Sequence, residues 1–478
     1  MGIVKKMDGS HNREKSFVKS MAILIIGTVV PKLASFVTLP LYTAYLTKTE
    51  YGTYDLLLTL CSLFIPISTL MTPSACFRFL LDCHNDEEKK KEVITNSFAI
   101  MFFMTGISLV VLFFILYNQP LYLRLLICIY LFFDALLSMF QQIARGLSKN
   151  HVYSISAIIL SFGNMFLAML FLIVIDLGIS GVVFSLTAST VISALYIFSH
   201  LKIFKYVSFS CFDKKNTLGI LKYSWPLVPN NISSWAMNMS DRLVVLYFLG
   251  VEQNAVLAVA HKIPQILLLA QNAYTMAWQE NAAVSVNDAD IGEYYSKMFS
   301  ILYRFMFCSA MVLIASTRFL FIILIHGDYE EAFYQIPIYF FAFFLSCIST
   351  YLGGIYLAYK KSVSVGITTV VSAVINFAVN VVLIQYIGLY AASISTVCGY
   401  AFIDIYRFID IRKIVRLHFN YKEILTGLLL VSASCFLCYF KNTYIDVFNI
   451  IFGIAMCFAF NREMISKMIA LVKSRDSA

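Results

Sequence analysis

Residues 101–116 read MFFMTGISLVVLFFIL, sixteen consecutive positions without a charged side chain. With its apolar flanks the segment extends over 93–117, which as a helix rising 1.5 Å per residue is long enough to cross a hydrocarbon layer of about 30 Å. Polar and apolar positions do not alternate along it, as they would in a strand of a membrane β-barrel. The segment therefore predicts a membrane-spanning helix.

The composition of the whole chain agrees with that interpretation. Of 478 residues, 60% are hydrophobic and 13% are charged, and the mean hydropathy is +0.79. A soluble globular chain is about 45–50% apolar and about 25% charged. We therefore expect this protein to be surrounded by membrane lipids.

Apolar segments of similar length recur along the sequence and predict an all-α integral membrane protein with about fourteen transmembrane helices. The predicted spans are 18–46, 54–80, 93–117, 121–144, 153–175, 179–200, 220–249, 256–277, 298–324, 336–358, 363–385, 389–409, 423–440 and 446–460.

The basic residues predict how these helices are oriented. Most of the 36 Lys and Arg residues lie in the two termini and in every second loop, at 81–92, 145–152, 200–222, 278–304, 358–363 and 407–423. Basic loops remain in the cytoplasm, so we place both termini there, at 1–17 and 461–478. Topology also explains the net charge of +9, and we expect no nucleic acid partner.

Two stretches in the first half of the chain each resemble a stretch about 200 residues further along. Residues 39–55 match 242–258 at an offset of 203, and residues from 149 onwards match those from 361 at an offset of 210–212, with Asn164 opposite Asn376. Membrane transporters are often built from repeated halves. The repeat predicts two six-helix lobes, an N-lobe at 18–200 and a C-lobe at 220–409, joined by a cytoplasmic loop at 201–219. A loop at 410–422 and two extra helices at 423–460 follow. The alternative is that apolar helices resemble each other by composition alone.

The predicted first and seventh helices each carry a stripe of polar residues. In the seventh, the spacings of 3, 4 and 3 place the stripe on one helical face; its members are Asn231, Ser234, Asn238 and Asp241. The stripe in the first helix comprises Thr28, Lys32, Ser35, Thr38 and Tyr42. Adding 203 to three of these positions gives three positions of the other stripe. Both stripes are expected to line one water-filled cavity, the alternative being hydrogen bonding between helices.

Charged residues within the predicted spans are candidate functional residues, because an unpaired charge at mid-bilayer costs roughly 2.5–3.5 kcal/mol. The basic candidates for binding an anionic substrate are Lys32, Arg78, Arg242 and Lys262. For Arg242 and Lys262 an ion pair with Asp241 or Asp55 is the alternative, and for Arg78 a cytoplasmic anchor. The acidic candidates for ion coupling or ion pairing are Asp55, Asp134 and Asp241. Asp404 is a further embedded acid that either binds a proton or cation or pairs with an Arg.

The sequence contains none of the motifs GxxxxGK[ST], HExxH or GxSxG, each of which carries a specific enzyme chemistry. Among the eleven cysteines, Cys435 and Cys438 have the CxxC spacing, but no second CxxC pair occurs to complete a four-cysteine zinc site. We therefore expect a protein that is not an enzyme and that needs no cofactor or metal centre.

Four motifs resemble the Wzx-type flippases for lipid-linked oligosaccharides, which form the polysaccharide transporter branch of the multidrug/oligosaccharidyl-lipid/polysaccharide (MOP) superfamily. They are LPLYTAYLTKTEYGTYDLLLTL (39–60), YSWPLVPN (223–230), MSDRLVVLYFLG (239–250) and AWQENA (277–282). The resemblance covers essentially the whole chain and implies the MOP fold. After the outward turn that follows the predicted seventh helix, the family usually shows a Gly and a Tyr. This chain has Ala255, Val256 and Leu257 there.

The resemblance implies a function and a set of partners. The substrate would be an oligosaccharide on undecaprenyl pyrophosphate, moved across a bacterial cytoplasmic membrane for cell-surface polysaccharide synthesis. Lys32 and Arg242 would contact the pyrophosphate, and Asn231, Ser234 and Asn238 the sugar. A polysaccharide polymerase and glycosyltransferases would be the protein partners. Whether a proton, sodium, the membrane potential or removal of the product drives transport stays open.

Two other functions remain as alternatives. A cation-coupled multidrug exporter of the same superfamily would depend more on Asp55 and Asp241 than on Lys32. A membrane-embedded glycosyltransferase or polymerase usually needs a sizeable loop for its active site, whereas all loops between the predicted spans are short.

Overall fold

The computed structural model describes residues 31–462 except 32, 33, 35, 84, 85, 288, 289 and 360. For some further positions only the backbone is described, namely 209, 234, 237, 238, 270, 273, 276, 277, 279–281, 283, 284, 287 and 362. The predicted cytoplasmic N-terminus at 1–17, most of the first predicted span with Lys32, and nearly all of the C-terminal tail lie outside the described residues.

The described chain is all-α, and no strand occurs in the ranges given above. It forms two compact units, of which the first ends at Trp235 and the second begins at Ala236. The helices of the first unit are α1 (36–45), α2 (Lys48–Thr69), α3 (Thr72–Asp82), α4 (Glu87–Ile115), α5 (Leu121–Gly146), α6 (Asn150–Met169, continued by a π-helical turn Leu170–Val174), α7 (Gly178–Leu201) and α8 (Lys214–Ser224).

Helix α9 (Leu227–Leu249) contributes to both units, since the division falls within it. The second unit continues with α10 (Val251–Lys262), α11 (Gln265–Val284), α12 (Ile291–Ala315), α13 (Thr317–Leu324), α14 (Glu330–Ala358), α15 (Ser362–Ile387), α16 (Tyr390–Ile411), α17 (Tyr421–Cys438) and α18 (Thr443–Phe460). The predicted limits of the two lobes, 18–200 and 220–409, stay a prediction.

Ten helices of the described chain are long and apolar enough to span a membrane individually: α2, α4, α5, α6 with its π-helical turn, α7, α12, α14, α15, α17 and α18. Four predicted spans are not among these ten. They are the first span, 18–46, and the spans that correspond to α8–α9, to α10–α11 and to α16. The all-α, multi-pass fold predicted from the sequence is thereby confirmed.

Four of the predicted spans are interrupted, where the sequence was expected to form one helix each. In the span 298–324 the break falls at Ser316, between α12 and α13. Pro226 separates α8 from α9, and Pro264 separates α10 from α11, because proline lacks the backbone N–H of the helical ladder and clashes with the preceding turn. Between α2 and α3 the chain passes through left-handed conformations at Leu70 and Met71. The predicted spans remain mainly apolar on both sides of these interruptions, which is why hydropathy did not reveal them.

The beginnings of several helices follow from local capping. The Thr47 hydroxyl accepts from the backbone N–H of Glu50, and the Glu50 carboxylate accepts from the backbone N–H of Thr47, a capping box that starts α2. Asp86 caps α4 through the backbone N–H of Lys89, and this hydrogen bond lowers the pKa of the Asp86 carboxyl. Gly250, at a φ of 89°, makes the one-residue turn between α9 and α10.

The two units share a packing pattern. In the first, α7 packs on α5 and α6, and α3 packs on α5. In the second, α16 packs on α14 and α15, and α11 packs on α14. The pairs α6–α7 and α15–α16, which the internal repeat sets in correspondence, therefore both pack as neighbours.

Helices α17 and α18 attach to the second unit through α12 and α13. Arg304 donates two hydrogen bonds to the Glu423 carboxylate, each 2.8 Å long. Arg318 pairs with Asp446 at 3.4 Å. Ion pairs at two levels of this interface hold the two additional helices in place.

Candidate functional site

A cluster of buried polar side chains joins α9, α15 and α16 within the second unit. Asp241 on α9 is 3% exposed. Its Oδ1 accepts a hydrogen bond from Asn380 Nδ2 at 3.0 Å, and its Oδ2 accepts one from Thr396 Oγ1 at 2.9 Å. Asn376 Nδ2 lies 3.4 Å from Thr396 Oγ1. We call these four residues the Asp241 site.

The backbone explains how these side chains meet. Asn376 and Asn380 are four residues apart on α15 and therefore lie on one face. Gly399 lets α16 approach that face, because a Cβ there would lie 3.1 Å from Ser372 Oγ and 3.3 Å from Asn376 Cβ. Ser372 Oγ also donates to the Gly399 carbonyl at 2.6 Å. The close contact of α15 with α16 brings the two amides to the carboxylate.

The Asp241 site is rich in oxygen acceptors. The Oδ1 atoms of Asn376 and Asn380 are buried and accept no hydrogen bond from the described residues, although buried polar atoms normally find a partner. A carboxylate, a hydroxyl and two carbonyl-type oxygens are hard ligands suited to an alkali cation, and the carboxylate alone is sufficient for a proton. The site can therefore bind a small cation or a proton.

The second unit also has a crevice of about 360 Å³. It is lined by Leu249, Gln253, Glu331, Tyr334, Gln335, Ile387, Gly388, Leu389 and Tyr390. Gln335 Oε1 accepts a hydrogen bond of 2.6 Å from Ser393 Oγ, and Ser393 precedes Thr396 by one turn of α16. Gln335 therefore links the lining of the crevice to Ser393, a residue one helical turn from the Asp241 site.

The first unit has a counterpart of this cluster. Ser185 Oγ on α7 donates to Asn164 Oδ1 on α6 at 3.0 Å, and Asn164 Nδ2 donates to the Tyr42 hydroxyl at 3.3 Å. Asn164 and Ser185 correspond to Asn376 and Thr396 at offsets of 212 and 211. The counterpart contains no carboxylate among these three side chains.

The polar stripe of the predicted seventh helix lies on α9 and is only partly described. Asn231 is half-buried, and its Nδ2 donates to the Leu227 carbonyl of its own helix at 2.9 Å. Of Ser234 and Asn238 the structure describes the backbone alone. Asp241 is the member of the stripe for which the structure gives bonds to other helices.

The predicted basic residues lie in different surroundings. Arg242 is 5% exposed, and its Nη1 donates to the Met239 sulfur at 2.6 Å. Lys262 is half-buried in the last turn of α10. The Arg78 guanidinium pairs with Asp82 at 2.7 Å in an exposed ion pair. Arg78 lies on α3 of the first unit.

The acids Asp55 and Asp134 belong to the first unit. Asp55 on α2 is buried. Asp134 on α5 is half-buried and accepts a hydrogen bond from Tyr130, four residues earlier. The sequence therefore predicted three acids of which one, Asp241, lies in the second unit.

Sequence reasoning missed two partners of Asp241. Asn380 and Thr396 lie 139 and 155 residues away along the chain, in otherwise apolar helices. The spacing of Asn376 and Asn380 was a signal that a polar face exists on α15. Arg407, assigned by its charge to the loop 407–423, instead lies 3% exposed within α16, because acceptors on α14 and α15 surround its guanidinium.

Comparison with solved structures identifies the fold. The lipid II flippase MurJ in an inward closed conformation has a TM-score of 0.69 at 14% identity, over 94% of this chain and 100% of that one. An inward-facing MATE family multidrug resistance transporter of the MOP superfamily has a TM-score of 0.60 at 15% identity, over 85% and 98%. A mutant MATE transporter of Vibrio cholerae has a TM-score of 0.59 at 13% identity, over 84% and 97%. The fold is that of the MOP superfamily of membrane transporters.

A family model then identifies the chain more closely. The model described as polysaccharide biosynthesis protein matches residues 17–279, and the chain belongs to this family. The family resemblance predicted from the sequence motifs is confirmed. No curated protein matches the sequence.

Proposed function

We propose that this protein moves an oligosaccharide linked to undecaprenyl pyrophosphate from the inner to the outer leaflet of a bacterial cytoplasmic membrane. The product would serve cell-surface polysaccharide synthesis, as O-antigen, capsule or exopolysaccharide. Membership of the polysaccharide biosynthesis family carries the proposal, and the fold in common with a lipid II flippase supports it. Glycosyltransferases would supply the substrate and a polymerase would consume it.

The chemistry of such a substrate suits the embedded residues. A pyrophosphate entering a low-dielectric passage needs cationic partners, and we assign this role to Lys32 and Arg242, with Lys262 and Arg78 along the path. Asn231, Ser234 and Asn238 would bind the sugar. The lipid tail would remain in the bilayer while the two lobes alternate access. Arg242 is buried in this conformation. Its proposed contact with the pyrophosphate therefore requires a second conformation, in which the guanidinium is exposed.

We propose that the Asp241 site binds the coupling ion. Asn376 Oδ1 and Asn380 Oδ1, which accept no hydrogen bond from the described residues, favour sodium over a proton. A proton needs a single acceptor, whereas sodium takes several oxygen ligands. The crevice would let the ion enter from water, where the exposed carboxylate of Glu331 attracts cations. Gln335 and Ser393 would then lie between the crevice and Thr396 of the Asp241 site. Asp55 and Asp134 are retained as second candidates for ion coupling or ion pairing.

Depletion of the protein tests the proposed substrate. Lipid-linked oligosaccharide should accumulate in the cytoplasmic leaflet, where an added membrane-impermeant glycosidase does not reach it in intact spheroplasts. Unchanged leaflet distribution together with increased sensitivity to cationic drugs would instead favour the multidrug exporter. A loss of the lipid-linked oligosaccharide itself would favour a glycosyltransferase.

Lys32→Ala tests the proposed pyrophosphate contact, with Lys48→Ala as the matched control. Lys48 lies at the start of α2, in the loop predicted to face outward. Export should fall by at least about tenfold with Lys32→Ala, which corresponds to about 1.4 kcal/mol, and should stay unchanged with Lys48→Ala. Normal export by Lys32→Ala would remove this residue from the mechanism.

A further inference from the structure

A second buried acid lies on α16, two turns beyond the Asp241 site. Asp404 follows Thr396 by eight residues, about 12 Å along the helix axis. It is 5% exposed, and neither of its carboxylate oxygens has a hydrogen-bond partner among the residues that the structure describes. An ionised carboxylate in such surroundings would be strongly destabilised, so this side chain calls for a proton or a donor.

Arg407, one turn further along α16, supplies its donors to other helices. Its Nη1 donates to the Ser349 carbonyl on α14 at 2.7 Å, and its Nη2 donates to Thr368 Oγ1 on α15 at 2.8 Å. Its Nε also donates to Thr368 Oγ1, at 3.1 Å. The guanidinium is thus held by neutral acceptors on α14 and α15, although an acid lies three residues away on its own helix.

Residues three apart on a helix are neighbours, with Cβ atoms about 5–6 Å apart, so Arg407 can reach Asp404 by a change of rotamer. The observed arrangement suits a neutral Asp404, since a charged carboxylate would compete for the guanidinium. We propose that Asp404 binds a proton. When Asp404 releases this proton to water, the Arg407 guanidinium leaves its acceptors on α14 and α15 and pairs with the Asp404 carboxylate. Protonation of one side chain would thereby control how α16 is bonded to its two neighbouring helices.

The other groups around Asp404 are compatible with this exchange. On α16 the titratable neighbours are Tyr400 and Arg407, and on α14 the Cys347 thiol interacts electrostatically with Asp404. Tyr356 of α14 is bonded to Asp410, with its hydroxyl 2.8 Å from the carboxylate. Helix α15 contains one titratable side chain, a tyrosine at the end that adjoins the crevice. Arg407 is therefore the charged group that the ionised Asp404 would attract.

Infrared difference spectroscopy of the full-length protein in nanodiscs tests this inference without any transport substrate. Raising the pH should remove a carbonyl stretching band of a protonated carboxylic acid, and Asp404→Asn should abolish that band. Asp446→Asn, which removes a buried carboxylate already paired with Arg318, should retain it. A band that persists in Asp404→Asn would overturn the proposal.

A second pair of variants keeps the test independent of Asp404 itself. Thr368→Val removes a main neutral partner of Arg407, so the ionised Asp404 gains the guanidinium more easily and should titrate at a pH lower by about one unit or more. Thr369→Val removes a longer contact, of 3.3 Å to Nη2, and should shift the titration less. An unchanged or raised midpoint in Thr368→Val would contradict the exchange. The readout is protonation, so this result stands whether or not the protein transports a lipid-linked sugar.

Discussion

The helix pairs α6–α7 and α15–α16 place an asparagine opposite a hydroxyl residue in the same way, and the hydrogen bonds of the described residues join the second pair to a carboxylate, that of Asp241. In the first unit Asn164 bonds to Ser185 and to the Tyr42 hydroxyl. In the second unit Thr396 bonds to Asp241 and lies within reach of Asn376. The asparagine and hydroxyl pair is thus repeated, and in the second unit it is hydrogen-bonded to an acid.

The sequence correspondence shows which substitutions make the difference. An offset of 203 places Thr38 opposite Asp241, and an offset of 212 places Ala168 opposite Asn380. Both Thr38 and Ala168 are buried. At these two positions the first unit thus has neither the acid nor the second amide, so we expect the ion to bind in the second unit.

The variant Asp241→Asn should have the largest effect on this asymmetry. In the wild type, sodium at a hundred times its dissociation constant should raise the free energy of unfolding by about 2.7 kcal/mol. The variant should lose that gain, because the amide carries no negative charge to attract the cation. Thermal unfolding in sodium chloride against choline chloride of equal ionic strength measures it, and an equal gain in both proteins would place the ion elsewhere.

Asn380→Ala gives the second unit the residue that the first unit has at Ala168. The substitution removes the hydrogen bond from Asn380 to the Asp241 carboxylate, an interaction of about 1.5–3 kcal/mol. It also removes Asn380 Oδ1, which accepts no hydrogen bond from the described residues. Sodium affinity should fall by roughly tenfold or more, read from the sodium concentration that gives half of the thermal shift. Wild-type affinity in this variant would show that Asp241 binds the ion without α15.

Asn164→Ala tests the first unit by the same measurement. Two hydrogen bonds are lost, and the free energy of unfolding should fall by about 1–3 kcal/mol. The increment due to sodium should remain that of the wild type, since the altered cluster contains no carboxylate. A reduced sodium increment would mean that the two units share the ion-binding role.

Ser185→Ala should have the smallest effect. The hydroxyl donates to Asn164 and lies 2.8 Å from the Val182 carbonyl of its own helix, so its removal should cost about 1 kcal/mol. The same denaturation experiment, with Ser199→Ala at an exposed position of α7 as the control, measures the difference. A cost above that of Asn164→Ala would contradict the hydrogen-bond assignment.

The sequence predicted the fold well because hydropathy and charge distribution are read from single segments. It also set Asn164 opposite Asn376 and singled out Asp241. It did not predict Asn380 and Thr396 as partners of that acid, or the surroundings of Arg407, because contacts between distant helices are not visible in one sequence. The interruptions at Pro226 and Pro264 were missed because a kinked span keeps its apolar pattern.

Transport in proteoliposomes tests the account most directly. Protein reconstituted with a fluorescent lipid-linked oligosaccharide would be followed with and without an imposed sodium gradient, for the wild type, Asp241→Asn and Asn164→Ala. We expect the gradient to accelerate translocation by the wild type and by Asn164→Ala but not by Asp241→Asn. Acceleration that survives in Asp241→Asn would contradict the assignment of ion coupling to the second unit.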